Sequence, residues 1–519
     1  MKRKNIAFIY QIIIFIFLIF YFTQISPLQP FDADDWRYIG SMRLPLPLWG
    51  AWNPSRVLAE TLMPLGGYIA AFIIYPFTNN YLFSLSFAES LIVSAFIIIM
   101  FYLFYNFLVK RFKLTQRCAL AGELLFFLSC FLLFKHINAA SYTVFWTFDL
   151  SCDFYYLIPG LLNASMVLYI LQYDDFISAF KNFSSLKKGL FILGVYFAIF
   201  SSSQLNIILA TVVFMQIVSY LINSKISNSS FVENLIRITK RTYVYILILI
   251  LWLIGISFEL SGQRAANRSQ LTKGTFVERL DAVFSQFNQL LKSTNVKILI
   301  LFALIILLSI IIEIFLHPKR QQSILRLDFL KINITSIICL TLSFVYLILA
   351  YLKAGDIYAS RPDAMWPVIF FFLFSANFSA IYIINEIGMI KPLLPFILVI
   401  GSLIAFNFNY PPLYLKNTNH DPATIRNVNN YIINQIKLAD KKGKVKTVVR
   451  VPFDNPNAIT KLPDANWPHS YAMGTYLQDT LYNHHITRVR MHIIFRPDKS
   501  VNSKLYENSS EQQSATPIE

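Results

Sequence analysis

Long runs of apolar residues, separated by short polar segments, recur along the first 409 residues of this chain. Each run is close to the ~20 residues that an α-helix needs to cross the hydrocarbon layer of a membrane. We therefore predict an all-α polytopic membrane protein. The pattern gives about eleven spans, at residues 6–25, 82–109, 118–134, 156–172, 189–204, 205–222, 243–259, 297–316, 332–352, 366–385 and 392–409.

The first run has the length of a spanning helix and no small-residue cleavage site, so we expect it to be retained rather than removed as a signal peptide. After residue 409 the pattern becomes polar. Val445–Val451 and Val489–Phe495 predict strands, and Ser470–Tyr482 predicts a helix. We therefore expect a transmembrane domain over 1–409, a small α/β domain over 410–505 and a disordered tail over 506–519.

The charge of the connecting segments predicts the orientation. Only 14% of the 519 residues are charged, and the net charge is +17. Basic residues collect in every second loop, from the N-terminal Lys2-Arg3-Lys4 onward, which is typical of cytoplasmic loops. This alternation predicts a cytoplasmic N-terminus and an extracytoplasmic C-terminal domain. The basic residues are accounted for by anionic lipid, and no motif for binding nucleic acid is present.

One further apolar stretch, residues 57–77, is apolar enough to span the membrane. Counting it as a span would invert every later basic loop, so we predict a helix at the membrane surface or re-entering it. Pro64 and Gly66-Gly67 are expected to interrupt this helix. Residues 26–81 then form one long, partly membrane-embedded extracytoplasmic loop.

The most distinctive polar segment of that loop directly follows the first span. Asp32, Asp34 and Asp35 lie within four residues of one another at the predicted edge of the bilayer. Carboxylates near hydrocarbon are costly, so a cluster of them there indicates a role. They can accept a proton from an attacking hydroxyl, or Asp32 and Asp34 can hold a divalent cation against a phosphate. A solvated acidic loop that caps a juxtamembrane helix with Asp32 or Asp34 remains the structural alternative.

The five residues Asp34-Asp35-Trp36-Arg37-Tyr38 match the D-[DE]-x-R-Y pattern of the lipid A aminoarabinose transferases. With its position after the first span, the motif resembles that of GT-C membrane glycosyltransferases. Chain size and the polar tail are similar to bacterial O-antigen glucosyltransferases. The resemblance implies that a hexose, with glucose favoured, moves from undecaprenyl phosphate to a lipopolysaccharide O-antigen or another cell-surface glycan. The reaction would occur on the outer face of the bacterial inner membrane, with inversion.

The resemblance also implies roles for individual residues. Asp34 would be the base, and Asp35 would orient the acceptor or tune Asp34. The leaving phosphate needs cations, and arginine binds phosphate through two oxygens at once. The outward-facing candidates for binding substrate, taken with the remaining motif residues, are Asp32, Trp36, Arg37, Tyr38, Arg56, Arg264, Arg268 and Arg361. No cofactor beyond that divalent cation is implied.

Two other classes of membrane protein stay open. An O-antigen ligase or polymerase also uses lipid-linked sugars, although it relies on a large late loop. A flippase or transporter would carry paired charges inside its spans. Here Glu89, Glu123 and Glu313 are scattered along the sequence. A scaffold without enzymatic activity would leave the acidic motif unexplained.

Overall fold

The structure is a computed structural model in which α-helices predominate. It describes residues 2–134, 136–137, 140–141, 143–147, 149–223, 231–271, 274–316, 324–387, 422–452, 470–498 and 500–501. The predicted span 392–409 and the tail 506–519 lie outside these residues.

The helices of the N-terminal half are α1 (Lys2–Phe20, extended by a π-helical turn Tyr21–Ile25), α2 (Ala33–Gly40), α3 (Ala59–Ile69, extended by a π-helical turn Ala70–Ile74), α4 (Tyr75–Thr78), α5 (Tyr81–Arg111), α6 (Gln116–Leu132), α7 (Leu150–Cys152, extended by a π-helical turn Asp153–Leu157), α8 (Ile158–Leu171), α9 (Phe176–Lys181), α10 (Ser185–Ile199) and α11 (Ile207–Asn223). The later helices are α12 (Phe231–Ser261), α13 (Gln263–Leu271), α14 (Phe276–Ser293), α15 (Val296–Ile311, extended by a π-helical turn Ile312–Leu316), α16 (Ile324–Ala354), a 3₁₀-helix (Asp356–Ser360), α17 (Trp366–Ile387), α18 (Pro422–Lys441) and α19 (Ser470–Asn483).

Within the described residues, eight helices are long and apolar enough to cross a membrane. Ten of the predicted spans coincide with helices. The boundary predicted for 189–204 is wrong, because α10 already ends at Ile199 and residues 200–206 form a turn. In that turn the Asn206 amide donates to the Ile199 carbonyl at 3.0 Å, which satisfies a backbone group that the ended helix leaves open.

Polar contacts mark the two ends of the helix bundle. At one end Lys110 donates to Gln172 at 3.0 Å, and Arg111 pairs with both Asp174 and Asp328. These residues belong to segments that the charge pattern assigns to the cytoplasm. Since Lys110 ends α5 and Gln172 ends α8, the two helices run parallel. Both helices therefore start toward the opposite end, where Asp35 of the acidic motif accepts the N–H of Ser151 in α7. Which membrane face each end meets stays a prediction.

The stretch after Ala59 is one continuous helical rod through α3 and α4, so the interruption predicted at Pro64 is wrong. Proline cannot donate to the carbonyl of Glu60 one turn earlier. The backbone N–H of Arg43 donates to that carbonyl instead, at 3.3 Å, so the helix continues.

Contacts at the two ends of this rod bear on its path through the membrane. By length and composition it is one of the eight candidate spans. Glu60, near its start, accepts from Tyr155 at the beginning of the α8 segment. Tyr75, near its end, packs against Tyr81 at the beginning of α5. Because α5 and α8 both start toward the end of the bundle that holds the motif, the rod contacts that half of the bundle near its own start and near its own end. This arrangement favours the predicted juxtamembrane position.

The described C-terminal residues form α18, strand β3 (Lys446–Pro452), α19 and strand β4 (His492–Asp498), numbered after a two-residue pair, β1 (His136–Ile137) and β2 (Ala140–Ser141). The two predicted strands and the predicted helix are present. β3 and β4 pair in parallel, with Val449 opposite Phe495, and α19 lies in the connection between them. β4 starts three residues late because Asp440 holds the Arg488 backbone and guanidinium in the preceding turn.

Candidate functional site

The acidic motif forms the start of the short helix α2. Asp32 is the N-cap residue, and Asp35 completes a capping box with it. One Asp35 oxygen accepts the backbone N–H groups of Phe31 (2.8 Å) and Asp32 (3.0 Å). Its other oxygen accepts the N–H of Ser151 at 2.7 Å, across from the start of α7. Of the two capping residues that the sequence offered, Asp32 rather than Asp34 is the N-cap residue, and Asp35 is the second member of the capping box.

The two adjacent carboxylates have different surroundings. Asp34 is exposed, whereas Asp35 is completely buried. Burial raises the pKa of Asp35 well above its ordinary value, and the charges of Asp149 and Asp32 act in the same direction. The backbone N–H donors oppose this rise only in part. A substrate hydroxyl can reach Asp34 from solvent, while Asp35 is enclosed and connects α2 to α7.

The rest of the motif packs into the protein. The Trp36 ring is fully buried, so it does not present a face to a sugar, and the backbone carbonyl of Trp36 accepts the Thr480 hydroxyl of α19. The Arg37 guanidinium lies over the rings of Tyr38 (5.2 Å) and Tyr476 (5.4 Å). The helix α19 thus rests directly on the motif helix.

Three of the four arginines predicted outside the acidic motif converge. Arg56 precedes α3, Arg264 lies in α13 and Arg361 follows the 3₁₀-helix. The guanidinium groups of Arg56 and Arg361 lie over the ring of Tyr156, at 5.3 and 4.9 Å. Arg264 donates to the Tyr358 hydroxyl at 2.8 Å, and Arg361 also lies over that ring. We call Arg56, Arg264 and Arg361 the arginine cluster. For Arg268, the backbone belongs to α13 and its side chain lies outside the described part.

The arginines differ in how their charges are balanced. Arg361 is buried and forms an ion pair with the buried Asp363, at 3.0 Å from Nε and 2.5 Å from Nη2. Arg56 is also buried, and its Nη1 has no hydrogen-bond partner among the described residues. A buried guanidinium nitrogen without an acceptor is costly. Arg56 is therefore the group of the cluster best prepared to receive an anionic oxygen.

A hydrogen-bonded network joins the motif to the arginine cluster. Asn53 donates to the Tyr38 hydroxyl (3.1 Å) and to Glu60 (2.8 Å), and Tyr155 donates to the same Glu60 oxygen at 3.2 Å. The Tyr38 and Tyr155 rings meet edge to face at 5.1 Å, and Arg56 lies 4.6 Å from the Tyr155 ring centre. The motif and the arginines are thus parts of one site.

Sequence reasoning found Tyr38 but missed Tyr155, Tyr156 and Tyr358, which pack against the arginine cluster. The available signal was the aromatic run Phe154-Tyr155-Tyr156, which follows Asp153 at the predicted outer face. Two aspartates in the same predicted outer loop, Asp149 and Asp153, are both buried. Asp149 caps α7 by accepting the Cys152 N–H at 2.7 Å, and it lines a cavity of about 50 Å³ together with Asp153.

The predicted divalent cation finds no three-ligand site in the described part of the chain. No group of three or more His, Cys, Asp or Glu side chains there is placed to hold a metal together. Binding of a cation by Asp32 and Asp34 with substrate oxygens stays a prediction.

Comparison with family models, with curated proteins and with solved structures finds no match for this chain. The resemblance to GT-C transferases therefore rests on the motif residues and their position after the first helix.

Proposed function

We propose that this protein is a membrane glycosyltransferase of GT-C type in the bacterial inner membrane. It takes a hexose, with glucose favoured, from a polyprenyl-phosphate sugar such as undecaprenyl-phosphate glucose. It transfers the sugar to a cell-surface polysaccharide or glycolipid on the outer face. The donor chain and the acceptor glycan are the partners that this reaction requires, together with the bilayer itself.

The observation that carries the proposal is the arginine cluster, which is joined through Tyr155 and Tyr38 to the helix that holds the exposed Asp34. Three guanidinium groups from three separate segments surround Tyr156 and Tyr358. One balancing charge, Asp363, is committed to Arg361. A second balancing charge, Glu259, accepts the Ser55 hydroxyl and attracts the positive charges of Arg56 and Arg264. The set keeps an excess of positive charge, and the buried Arg56 Nη1 has no acceptor among the described residues. A phosphate monoester supplies the oxygen acceptors and negative charge that this set lacks.

The reaction would be a single displacement. The acceptor hydroxyl oxygen attacks the anomeric carbon while the bond from that carbon to the phosphate oxygen breaks. Asp34 takes the hydroxyl proton, and the polyprenyl phosphate leaves with the bonding electrons. The arginine cluster stabilises the charge that develops on the leaving phosphate, which is where fixed cations lower a barrier most. One displacement inverts the anomeric configuration.

A flippase or transporter of lipid-linked sugars is the second candidate, because one observation favours it. The side chain of Glu89 in α5 is buried, and neither of its oxygens has a hydrogen-bond partner among the described residues. Asp153 and Asp35 are near enough for a negative charge on either of them to disfavour a negative charge on Glu89. Buried carboxylates in membrane helices are typical of proton relays in transporters. An O-antigen ligase or polymerase stays an alternative that the donor specificity would distinguish.

The test uses purified protein, undecaprenyl-phosphate glucose, a panel of other lipid-phosphate sugars, and membrane glycolipid from the host. Wild type should release undecaprenyl phosphate in the presence of acceptor, and Asp34→Asn should lose at least a hundredfold of the rate, as removal of a general base does. Asp34→Glu is the matched control and should retain part of the activity.

Full activity in Asp34→Asn would remove Asp34 from the role of base. Binding of donors without turnover of any of them would contradict the transferase proposal. A Glu89→Gln variant that stops movement of a lipid-linked sugar across a vesicle membrane would then support the transporter.

A further inference from the structure

The loop between α2 and the arginine cluster has an unusual surface. We call residues 42–52 the apolar loop. Six large apolar residues of this loop are 42% to 68% exposed to solvent: Met42, Leu44, Leu46, Leu48, Trp49 and Trp52. An exposed apolar patch of this density marks a contact with lipid or protein. The loop lies outside the eight candidate spans.

The backbone of the apolar loop satisfies many of its own polar groups. Pro45 and Pro47 carry no N–H. The Arg43 guanidinium turns inward and donates to the carbonyls of Asn53 (2.6 Å) and Leu46 (3.1 Å). Three backbone N–H groups of the loop also donate to backbone carbonyls: Leu46 to Leu44, Leu48 to Pro54, and Ala51 to Leu48. Irregular backbone is tolerated at membrane depth only when its polar groups are satisfied within the protein, and this loop approaches that condition.

The loop is also continuous with apolar helix surfaces that would face lipid. The Tyr196 hydroxyl of α10 donates to the Pro45 carbonyl at 2.7 Å. At the end of α12, the Ser261 hydroxyl accepts the Gly50 N–H at 3.2 Å, and Trp49 packs against Phe258 at 5.3 Å. Farther along their length, both helices expose apolar side chains on the outside of the bundle, as at Ile192, Leu193, Leu253 and Ile254. The exposed apolar side chains of the loop therefore form a band with those of the two helices that the loop contacts.

The arginine cluster adjoins this band. Arg56 follows the loop by four residues in the sequence. Gln263, the neighbour of Arg264, donates its N–H to the Ala51 carbonyl at 3.1 Å. A phosphate held by Arg56 and Arg264 would thus have an apolar surface beside it that continues to the lipid-facing helices. A lipid phosphate needs both features, a cationic pocket for its head and an apolar path for its chain.

We propose that the apolar loop inserts into the adjacent lipid leaflet and forms the entrance over which the donor's polyprenyl chain reaches the arginine cluster. The insertion depends on the loop alone, whereas its use as an entrance rests on the proposed function. The partner that covers the exposed apolar side chains of the loop is the lipid bilayer. A second protein covering the same surface is the outcome that the test must separate from it.

The experiment is spin-label accessibility at Leu46→Cys in the full-length protein, reconstituted in phosphatidylethanolamine–phosphatidylglycerol bilayers. Cys118 is the only native cysteine that is partly exposed, so a Cys118→Ser background leaves three buried thiols. Val445→Cys is the matched water-exposed control, since Val445 is an equally exposed apolar residue in the C-terminal segment. Ile192→Cys on α10 is the lipid-exposed control.

We expect the label at position 46 to collide with oxygen more than with a water-soluble nickel chelate, as at position 192 and opposite to position 445. Preferential collision with the nickel chelate would overturn the insertion. Low collision with both reagents would indicate that protein covers the loop, which would overturn it as well.

A kinetic measurement then tests the entrance. In a Leu44→Glu/Leu46→Glu variant, KM for undecaprenyl-phosphate glucose should rise about tenfold, with kcat within twofold. A donor with only two isoprene units should show no change, because its chain does not need the apolar path. Equal effects on both donors would refute the entrance while leaving the transferase intact. Absence of transfer in wild type would instead reject the proposed function, and the spin-label result would stand independently.

Discussion

Replacing Asp35 by alanine should destabilise the protein severely, although the same change at the adjacent Asp34 should not. The Asp35 carboxylate is fully buried and accepts three backbone N–H groups, from Phe31, Asp32 and Ser151, at 2.7 to 3.0 Å. It thereby closes the N-terminus of α2 and joins it to the start of α7. Alanine fills none of these roles and leaves all three donors without an acceptor.

The magnitude follows from those three bonds. An unpaired buried donor costs ~1–3 kcal/mol, so three of them give a gross loss of about 3–9 kcal/mol. Part of this is offset because burial of the carboxyl is itself unfavourable to its charged form, as its raised pKa shows. We expect a net loss of about 3–5 kcal/mol, which is a large share of a typical total stability of ~5–15 kcal/mol. Asp34 is exposed in the first turn of α2, and its removal should cost only ~0.3–1 kcal/mol.

The assay is the apparent melting temperature in detergent, followed by size-exclusion chromatography after heating, for Asp34→Ala and Asp35→Ala at equal protein concentration. Asp35→Asn is an informative intermediate. The amide oxygen of asparagine can still accept either from Ser151 or from Phe31 and Asp32. Its NH₂ group would then face the backbone N–H donors on the other side. The expected order of stability is wild type, Asp34→Ala, Asp35→Asn, Asp35→Ala. An Asp35→Ala variant as stable as Asp34→Ala would refute the assignment of Asp35 to a structural role.

Two further predictions concern packing and pH. Gly160→Ala would place a methyl group against the buried ring of Trp366 and should cost ~1–3 kcal/mol in melting experiments, whereas Gly189→Ala in α10 has nothing within 4 Å and should be neutral or stabilising. Burial lowers the pKa of His484, which is hydrogen-bonded to Tyr81 at 2.6 Å, to about 4. The unfolded chain therefore binds more protons than the folded one between pH 4 and about 6.5. The contribution of His484 to stability should fall by about 3 kcal/mol as the pH drops through that window. The raised pKa of Asp35 acts in the opposite direction, so the contribution of His484 is measured as the difference between wild type and His484→Gln in pH-dependent melting and proteolysis of the C-terminal segment. A wild-type slope unchanged in His484→Gln would contradict that origin.

The sequence by itself determined the helical class and the elements that were most strongly patterned. A chain in lipid must satisfy its backbone internally, so long apolar runs become helices whatever their detailed packing. The charge pattern likewise predicted that the basic loops lie on one side of the membrane. Arg111 pairs with Asp174 and Asp328, which brings three of these loops together at one end of the bundle. The apolar pattern also predicted the strands of the C-terminal segment, because alternation of apolar residues is a local property.

Only the tertiary structure decided which residues of the site could act. Asp34 and Asp35 are chemically identical neighbours, and their difference arises from contacts with Ser151, more than a hundred residues away. The continuity of the helix through Pro64 depends on a hydrogen bond from Arg43, which no helical pattern encodes. The convergence of three arginines on Tyr156 and Tyr358 likewise requires distant segments to pack together. Local periodicity carries information on secondary structure, but burial and pairing of charge depend on partners that are remote in the sequence.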